Sequence, residues 1–275
     1  MSVLSCAHVH TTFCDGKTPA ADMARTAYEK GFVSLGFSSH APQLFDPGYC
    51  VPPSQEEAYK AQIRALRAEY AGRMRIYLGI EQDAFACVTP ADYEYWIASV
   101  HYLPLHGEYV AIDGEPEDFL RCVNESDGGD AMRTARRYYD LVRQYVTRDH
   151  PPIIGHFDLI RKNNARLHLI DESSPAYRAL ALETLEALKD TGALLEVNTN
   201  PLIKGRLPTP YPDAFLLAAW RQWGGEVIIN SDCHDARYLG AYFDEAEKML
   251  LSLGYDHAVR LGKTELWERY SIGAE

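Results

Sequence analysis

The chain has 275 residues, 47% hydrophobic and 24% charged, a composition typical of a globular protein with a substantial buried core. Its formal net charge of −12 argues against nucleic acid as the main partner, although a metal site can reverse the field locally. No apolar run approaches the roughly 20 residues of a transmembrane helix, and no leader pattern is visible, so we expect a cytoplasmic protein without a membrane partner. The six cysteines contain no C-x-x-C pair and are expected to be reduced thiols: Cys6, Cys14, Cys50, Cys87, Cys122 and Cys233.

Short apolar runs alternate with helical patterns along the whole chain. Seven runs are predicted to be strands buried on both faces: 3–6, 32–37, 75–80, 96–100, 152–155, 193–197 and 226–230. Six helices are predicted between or after them: 18–31, 55–71, 130–146, 174–192, 211–223 and 243–253. This alternation predicts an α/β fold built from βαβ units around a parallel sheet, as a single domain over 1–275.

Three connections are long for a compact α/β domain, and such loops are usually functional. They are 41–54, 102–129 and 201–210. The connection 102–129 is predicted to be a lid, and it carries four clustered acids, Asp113, Glu115, Glu117 and Asp118. One of these acids could bind a substrate ammonium group, although a solvated acidic loop is the alternative for each of them.

The first predicted strand ends in His8 and His10, which would point to the same face because side chains alternate along a strand. Taken alone, this pair is more often structural than metal-binding. Polar side chains also follow each of the six remaining predicted strands: His40, Glu81, His101, His156, Asn198 with Asn200, and Asp232 with His234. Six of the ten histidines therefore fall at one sheet edge, together with Asp15, Glu81 and Asp232. Such a cluster is unfavourable without cations, and nine ligands are too many for one metal, so we expect two or three.

The motifs that carry these residues together resemble the PHP (polymerase and histidinol phosphatase) family, and most closely its histidinol-phosphate phosphatases. They read HVHTTFCD, GFSSHAP, LGIEQD, ASVHYL, GHFDLIRK and NSDCH, and they extend from Cys6 to about His234. The resemblance implies a distorted (β/α)7 TIM-like barrel with a trinuclear metal centre, in agreement with the seven predicted strands. It further implies that the long connections lie on the C-terminal face of the barrel.

Ligand roles follow from the resemblance at the matching positions. The first metal would bind His8, His10, Glu81 and Asp232; the second would share Glu81 and add His101 and His156; the third would bind Asp15, His40 and His234. Imidazole and carboxylate ligands without thiolate suit zinc, manganese or iron. Every ligand position holds a competent side chain, which argues against a degenerate relative.

The function expected from this site is a metal-dependent phosphomonoesterase that acts on a small phosphorylated metabolite, with L-histidinol phosphate as the best single substrate. We expect a hydroxide held between metals bridged by Glu81 to attack phosphorus, and either Asp232 or His234 to protonate the leaving oxygen. The alternatives are a PHP hydrolase acting on a nucleotide, a sugar phosphate or a phosphodiester, and a non-catalytic metal-binding module. The acidic charge disfavours a polymerase-associated exonuclease. The sequence leaves the oligomeric state open.

Five further residues are candidate substrate contacts. Arg161 is predicted to clamp the phosphate, with a surface arginine as the alternative. Lys204 and Arg206 could meet an anion or remain solvated loop charges. Asn198 and Asn200 alternate onto one face and could support the ligands or bind substrate. The segment from Thr199 to Lys204 departs from the Thr-Ser-Gly-like segment of the related phosphatases, which weakens the transfer of substrate identity.

Overall fold

In a computed structural model that describes residues 4–86 and 90–273, the chain forms a barrel of parallel strands. Val3 and Cys87, which belong to predictions made above, lie outside the described residues. Eleven strands are described: β1 (Ser5–Cys6), β2 (Ser34–Phe37), β3 (Arg75–Asp83), β4 (Tyr95–Ser99), β5 (Tyr102–Leu105), β6 (Glu108–Ala111), β7 (Ile153–Ile154), β8 (Leu194–Asn198), β9 (Val227–Asn230), β10 (His257–Leu261) and β11 (Trp267–Ser271).

Seven of these strands form the parallel barrel and match the seven predicted runs. Their order is β1-β2-β3-β4-β7-β8-β9, and all six adjacent pairs are parallel. At the C-terminal ends, a parallel bridge between Val9 and Cys233 joins the first strand to the last. At the other end, β10 fills the gap, because Val259 pairs with Ile228 while Ser5 and Ser34 both donate hydrogen bonds to the Leu261 carbonyl. The predicted distorted (β/α)7 barrel is thus confirmed.

Nine α-helices are described among these residues: α1 (Ala20–Glu29), α2 (Glu56–Glu69), α3 (Pro116–Arg121), α4 (Ala131–Asp149), α5 (Arg161–Leu167), α6 (Pro175–Glu186), α7 (Asn200–Ile203), α8 (Ala214–Gln222) and α9 (Phe243–Ser252). All six predicted helices are present, with shifted ends. The helix predicted to open at Tyr211–Pro212 starts later, at Ala214, because the Asp213 side chain caps it by accepting a hydrogen bond from Phe215 N. None of the described helices is long and apolar enough to cross a membrane.

The prediction omitted several short elements. The connection 102–129, which is predicted to be a lid, contains regular structure: the β5–β6 hairpin, α3 and a π-helical turn at Cys122–Ser126. β10 and β11 form an antiparallel pair near the end of the chain. α5 and α7 are short helices that follow β7 and β8, and they bring their first residues close to the carboxyl edge of the barrel.

The barrel interior is divided into an apolar and a polar half. The N-terminal half, which we call the apolar layer, consists of Ala7, Tyr77, Tyr95, Ile97, Ile153, Leu194, Ile228, Val259 and Leu261. Tyr95 lies across this layer, where a Cβ at Gly36 or Gly79 would come within 2.1 or 2.3 Å of its side chain. Above the layer, the same inward-facing positions carry polar groups. On β8, for example, Leu194 is followed by Glu196 and Asn198.

Candidate metal centre

Glu81 lies at the middle of a cluster of histidines at the C-terminal end of the barrel. Its Oε2 atom is 3.1 Å from His8 Nε2 and 2.8 Å from His40 Nδ1. Its Oε1 atom is 2.9 Å from His156 Nε2 and 3.5 Å from His101 Nε2. Glu81 is 1% exposed, so these imidazoles replace water around a fully buried carboxylate.

Asp232 and Asp15 extend the cluster towards solvent. Asp232 Oδ1 is 3.1 Å from His10 Nε2 and 3.5 Å from His234 Nδ1. Asp15 Oδ2 is 3.2 Å from His234 Nε2, and Asp15 Oδ1 is 3.6 Å from His40 Nε2. The structure therefore brings together all nine side chains that the sequence predicted as metal ligands.

Three overlapping groups have donor atoms within 4.8 Å of one another: His10, Asp15, His40 and His234; His8, His10 and Asp232; and His40, Glu81 and His101. This grouping differs in four places from the one implied by the family resemblance. Glu81 is absent from the His8 group, His156 is absent from all three groups, and two histidines each join a second group. His10 also joins the Asp15 group, and His40 also joins the Glu81 group. His40 lies between two carboxylates: its Nε2 atom contacts Asp15, and its Nδ1 atom contacts Glu81.

The donor atoms of this cluster fit divalent metal ions. His8 Nε2, His10 Nε2 and Glu81 Oε2 are buried and make no hydrogen bond, although they lie within ion-pair distance of one another. Buried polar atoms without hydrogen bonds are costly, and a cation would satisfy them. Imidazole and carboxylate donors without thiolate suit zinc, manganese or iron.

The electrostatics of the cluster favour the protonation states that metal binding requires at Glu81 and His10, but not at His8 and His101. Burial raises the pKa of Glu81, but His8, His40 and His101 outweigh this effect and hold it well below its usual range. Burial lowers the pKa of His10 to about 3, with His234 and His40 adding to the effect. At neutral pH Glu81 is therefore ionised and His10 is neutral, as a metal ligand must be.

Burial lowers the pKa of His8, but Glu196 and Glu81 outweigh this effect and raise it. The pKa of His101 is likewise raised to about 9. Metal binding would therefore displace protons from these two rings.

Glu196 lies directly beneath the cluster and is not among the site residues predicted from the sequence. Its Oε1 atom accepts hydrogen bonds from His8 Nδ1 at 2.6 Å and Asn230 Nδ2 at 3.0 Å. Its Oε2 atom accepts from His156 N at 2.8 Å and Asn198 Nδ2 at 3.0 Å. With Nδ1 of His8 donating to Glu196, the lone pair on Nε2 points into the cluster. The signal in the sequence was an acid inside an apolar strand, LLEVN.

The two asparagines predicted after β8 support Asp232. Asn198 Nδ2 donates to Asp232 Oδ2 at 3.2 Å, and Asn200 Nδ2 donates to the Asp232 carbonyl at 2.7 Å. Asp232 has a φ of 48°, a left-handed conformation that is uncommon outside glycine and asparagine-like residues. The asparagines therefore stabilise a backbone conformation that turns the Asp232 carboxylate towards the histidines.

A cavity of about 310 Å³ opens above the cluster. Its lining includes six of the nine predicted ligands: Asp15, His40, His101, His156, Asp232 and His234. The predicted contacts Asn200, Lys204 and Arg206 lie on its wall. The loops add Asp46, Tyr49, Tyr102, Asp113, Lys162 and Tyr211, most of which no sequence motif marked. Tyr49 stacks on the His40 ring with centroids 3.9 Å apart, so the 41–54 connection forms part of the site.

Arg161 does not line this cavity. Its guanidinium contacts three carboxylates, those of Asp158 at 3.2 Å, Glu172 at 2.8 Å and Asp213 at 3.2 Å. It is 4% exposed, and it joins the start of α5 to the segments before α6 and α8. The neighbouring Lys162 lines the cavity instead and contacts Asp113 at 2.7 Å.

The sequence matches a known protein family and is similar to proteins of two bacteria. The sequence matches the family model described as "PHP domain" over residues 7–200. It is 29% identical over 265 residues to a protein of Deinococcus radiodurans named "Probable histidinol-phosphatase", covering 92% of this chain and 95% of that protein. It is 26% identical over 263 residues to the histidinol-phosphatase of Bacillus subtilis, covering 86% of this chain and 96% of that protein.

A solved structure has the same fold. It is the histidinol phosphate phosphatase of Lactococcus lactis in complex with zinc, L-histidinol and phosphate. The two structures align with a TM-score of 0.67 at 18% identity, covering 93% of this chain and 95% of that one. The barrel is thus shared with that protein over nearly its whole length.

Proposed function

Because the chain belongs to the PHP domain family, we propose that it is a metal-dependent phosphomonoesterase that hydrolyses L-histidinol phosphate to L-histidinol and phosphate. The observation that carries this proposal is the convergence of nine imidazole and carboxylate side chains at the base of one cavity. The names of the relatives, and the zinc, L-histidinol and phosphate in the Lactococcus lactis structure, support the same reaction and substrate.

We propose that two or three divalent ions, zinc, manganese or iron, bind the three overlapping groups defined above. When bound, such ions neutralise phosphate oxygens and make water a stronger nucleophile at neutral pH. Glu81 supplies the central negative charge that holds cations together, and Glu196 fixes the tautomer of His8 from below. The aspartates and histidines nearer the mouth complete the ligand set.

The chain's own cations and acids orient the substrate in this proposal. Lys204 and Arg206 lie on the cavity wall and attract the phosphate group, while Lys162 is held by its ion pair with Asp113 and positions that carboxylate. Asp232 and His234 are the candidates for protonating the leaving-group oxygen, since both line the cavity and their side chains are 14% and 19% exposed. Arg161 would act indirectly, by fixing the start of α5 and so the position of Lys162.

Asp113 is the proposed partner of the substrate ammonium group. Among the four acids predicted in the 102–129 connection, it is the one that lines the cavity. Burial raises the pKa of Asp113, but Lys162 and His101 outweigh this effect and lower it, so the carboxylate is ionised. Tyr49, Tyr102 and Tyr211 also line the cavity and supply aromatic walls for an imidazole ring.

The test is kcat/KM on metal-replete protein for L-histidinol phosphate against p-nitrophenyl phosphate, a nucleoside monophosphate and a sugar phosphate. We expect L-histidinol phosphate to be preferred by about 100-fold or more, which corresponds to about 2.7 kcal/mol. Asp113→Asn should remove most of this preference while leaving p-nitrophenyl phosphate turnover within a few-fold. Glu117→Gln, which changes an exposed acid of the same connection, is the matched control.

Two results would contradict the proposal at different levels. Equal kcat/KM across the panel, or a preference for the nucleotide or the sugar phosphate, would remove L-histidinol phosphate but keep the phosphatase. No turnover of any phosphoester with zinc, manganese or iron would favour a non-catalytic metal-binding module.

A further inference from the structure

A second cavity of about 440 Å³ lies at the opposite end of the barrel, where strands β2 and β3 begin. Five of its ten lining residues are cations, Arg64, Arg67, Arg73, Arg75 and Lys263, and none is an aspartate or a glutamate. We call this cavity the basic cleft. Arg75 is the first residue of β3 and Asp83 is the last, so the cleft is on the order of 25 Å from the metal centre.

Two of the five cations are held by the protein itself. Arg67 donates to the Ile76 carbonyl at 2.8 Å and forms an ion pair with Glu94. Arg73 donates to the Glu69 carbonyl at 2.6 Å, and its guanidinium lies 4.8 Å from the centre of the Tyr70 ring. Both contacts stabilise the C-terminal end of α2, where cations are favourable. A structural role therefore accounts for these two residues.

The same explanation does not extend to the other three. Within 4–86 and 90–273, Arg64, Arg75 and Lys263 have no carboxylate within ion-pair distance, although the Arg75 guanidinium lies 5.2 Å from the centre of the Tyr77 ring and also interacts with the Tyr77 hydroxyl. The chain has 39 acidic and 27 basic residues, so a cavity lined by five cations and no acid is unexpected in it. The three side chains are exposed, so water screens much of their mutual repulsion, and a bound anion would offset the rest.

The basic cleft can be compared with the cavity above the metal centre, which also contains cations that lack a described carboxylate partner. Lys204 and Arg206 line its wall, and neither has a carboxylate partner among the described residues. There the proposed ligand is a phosphate ester. In the basic cleft the unpaired cations adjoin a floor of Val33, Ala68 and Met74, which can accommodate an apolar part of a ligand. Arginine binds phosphate with two parallel hydrogen bonds, and the cleft volume is in the range of small-molecule sites.

We propose that the basic cleft is a second ligand site, which binds a small phosphorylated metabolite with at least two negative charges and an apolar part, such as a nucleoside diphosphate. The site is separate from the metal centre and does not depend on the reaction proposed there. A concave cleft with an apolar floor suits a free metabolite better than the flat surface of a membrane. An anionic lipid headgroup presents the same phosphate chemistry, so the experiment includes vesicles as a separate arm.

The experiment is calorimetric titration of the metal-replete protein with ADP at low ionic strength, with adenosine as the uncharged comparison. The test variant is Arg64→Glu with Lys263→Glu, at two exposed positions without described partners. The control variant is Arg136→Glu with Lys248→Glu, which makes the same change in net charge at exposed positions outside the cleft. Vesicles containing phosphatidic acid are tested by sedimentation with all three proteins.

We expect the test variant to bind one fewer ADP per chain, or to bind it at least tenfold more weakly, than the native and control proteins. Its melting temperature and its kcat/KM without ADP should match those of the native protein. Adenosine should bind at least tenfold more weakly than ADP. Equal ADP binding in all three proteins, equal losses in both variants, or binding to vesicles without binding to ADP would each overturn the proposal.

Discussion

The two halves of the barrel interior are built from the same strands and yet depend on opposite chemistry. In the apolar layer, Tyr77, Tyr95 and Ile97 fill the space with carbon, and the two tyrosine hydroxyls donate to backbone carbonyls, so no charged group is needed there. Further along the same strands, Glu81 lies four residues after Tyr77 and Ser99 lies two residues after Ile97, and the Glu81 carboxylate is surrounded by imidazoles. The apolar layer can therefore be disturbed by volume alone, whereas the metal centre can be disturbed by charge at constant volume.

The largest expected effect comes from a change of charge at constant volume in the polar half. Glu81→Gln keeps the side-chain shape but removes the negative charge shared by His8, His40 and His101. We expect it to lose metal ions and to lower kcat by on the order of 10³-fold or more, equivalent to about 4 kcal/mol. Metal content by elemental analysis and phosphate release are the measurements.

Glu183→Gln is the control for this change, because it removes a carboxylate from the exposed face of α6. It should retain native metal content and turnover. A metal-replete Glu81→Gln protein with full activity would mean that charge at this position is not required, and the contrast between the two halves would fail.

A smaller effect is expected where the two halves meet, at Glu196. All four of its partners are donors, so a glutamine would turn its NH2 group towards two other donors. Residues that orient metal ligands typically contribute about 10–100-fold to affinity, and we expect Glu196→Gln to weaken metal binding by this amount. Competition with a chelator measures the dissociation constant. An unchanged constant would show that Glu196 has only a packing role.

The smallest effect on the metal centre is expected from a change of volume in the apolar layer. At Gly79, an added Cβ would lie 2.3 Å from the Tyr95 ring, and overpacking of this kind typically costs about 1–3 kcal/mol. Gly79→Ala should therefore lower the free energy of unfolding in denaturant without changing the number of metals per folded chain. Gly48→Ala, with no atom within 4 Å of the new Cβ, should do neither.

The ligands could be predicted because parallel strands carry their C-terminal ends to one edge, so His40, His101 and His156 had to lie close together once seven strands were recognised. The sequence did not reveal Glu196, since an acid inside a strand gains its role only from partners on neighbouring strands. The direction of Arg161 depends on where α5 begins, which no cap residue signals.

The remaining differences have a similar origin. Tyr49 and Asp113 enter the cavity from connections whose folding depends on contacts with distant segments, such as the Asp113–Lys162 ion pair. β10 and β11 were not predicted although they pair locally with each other over five positions. What the sequence does not show is that β10 joins the barrel, because this contact with β9 rests on one long-range pair, Val259 with Ile228.

In the proposed function, phosphate release depends on metal ions bound at the polar half of the barrel. The most direct test follows phosphate release from L-histidinol phosphate while metal is removed with a chelator and then restored in steps, with bound metal counted at each step. Turnover should disappear on chelation and return as the polar half refills, with at least two ions per chain at full rate. Full turnover in protein that carries less than one ion per ten chains would contradict the claim.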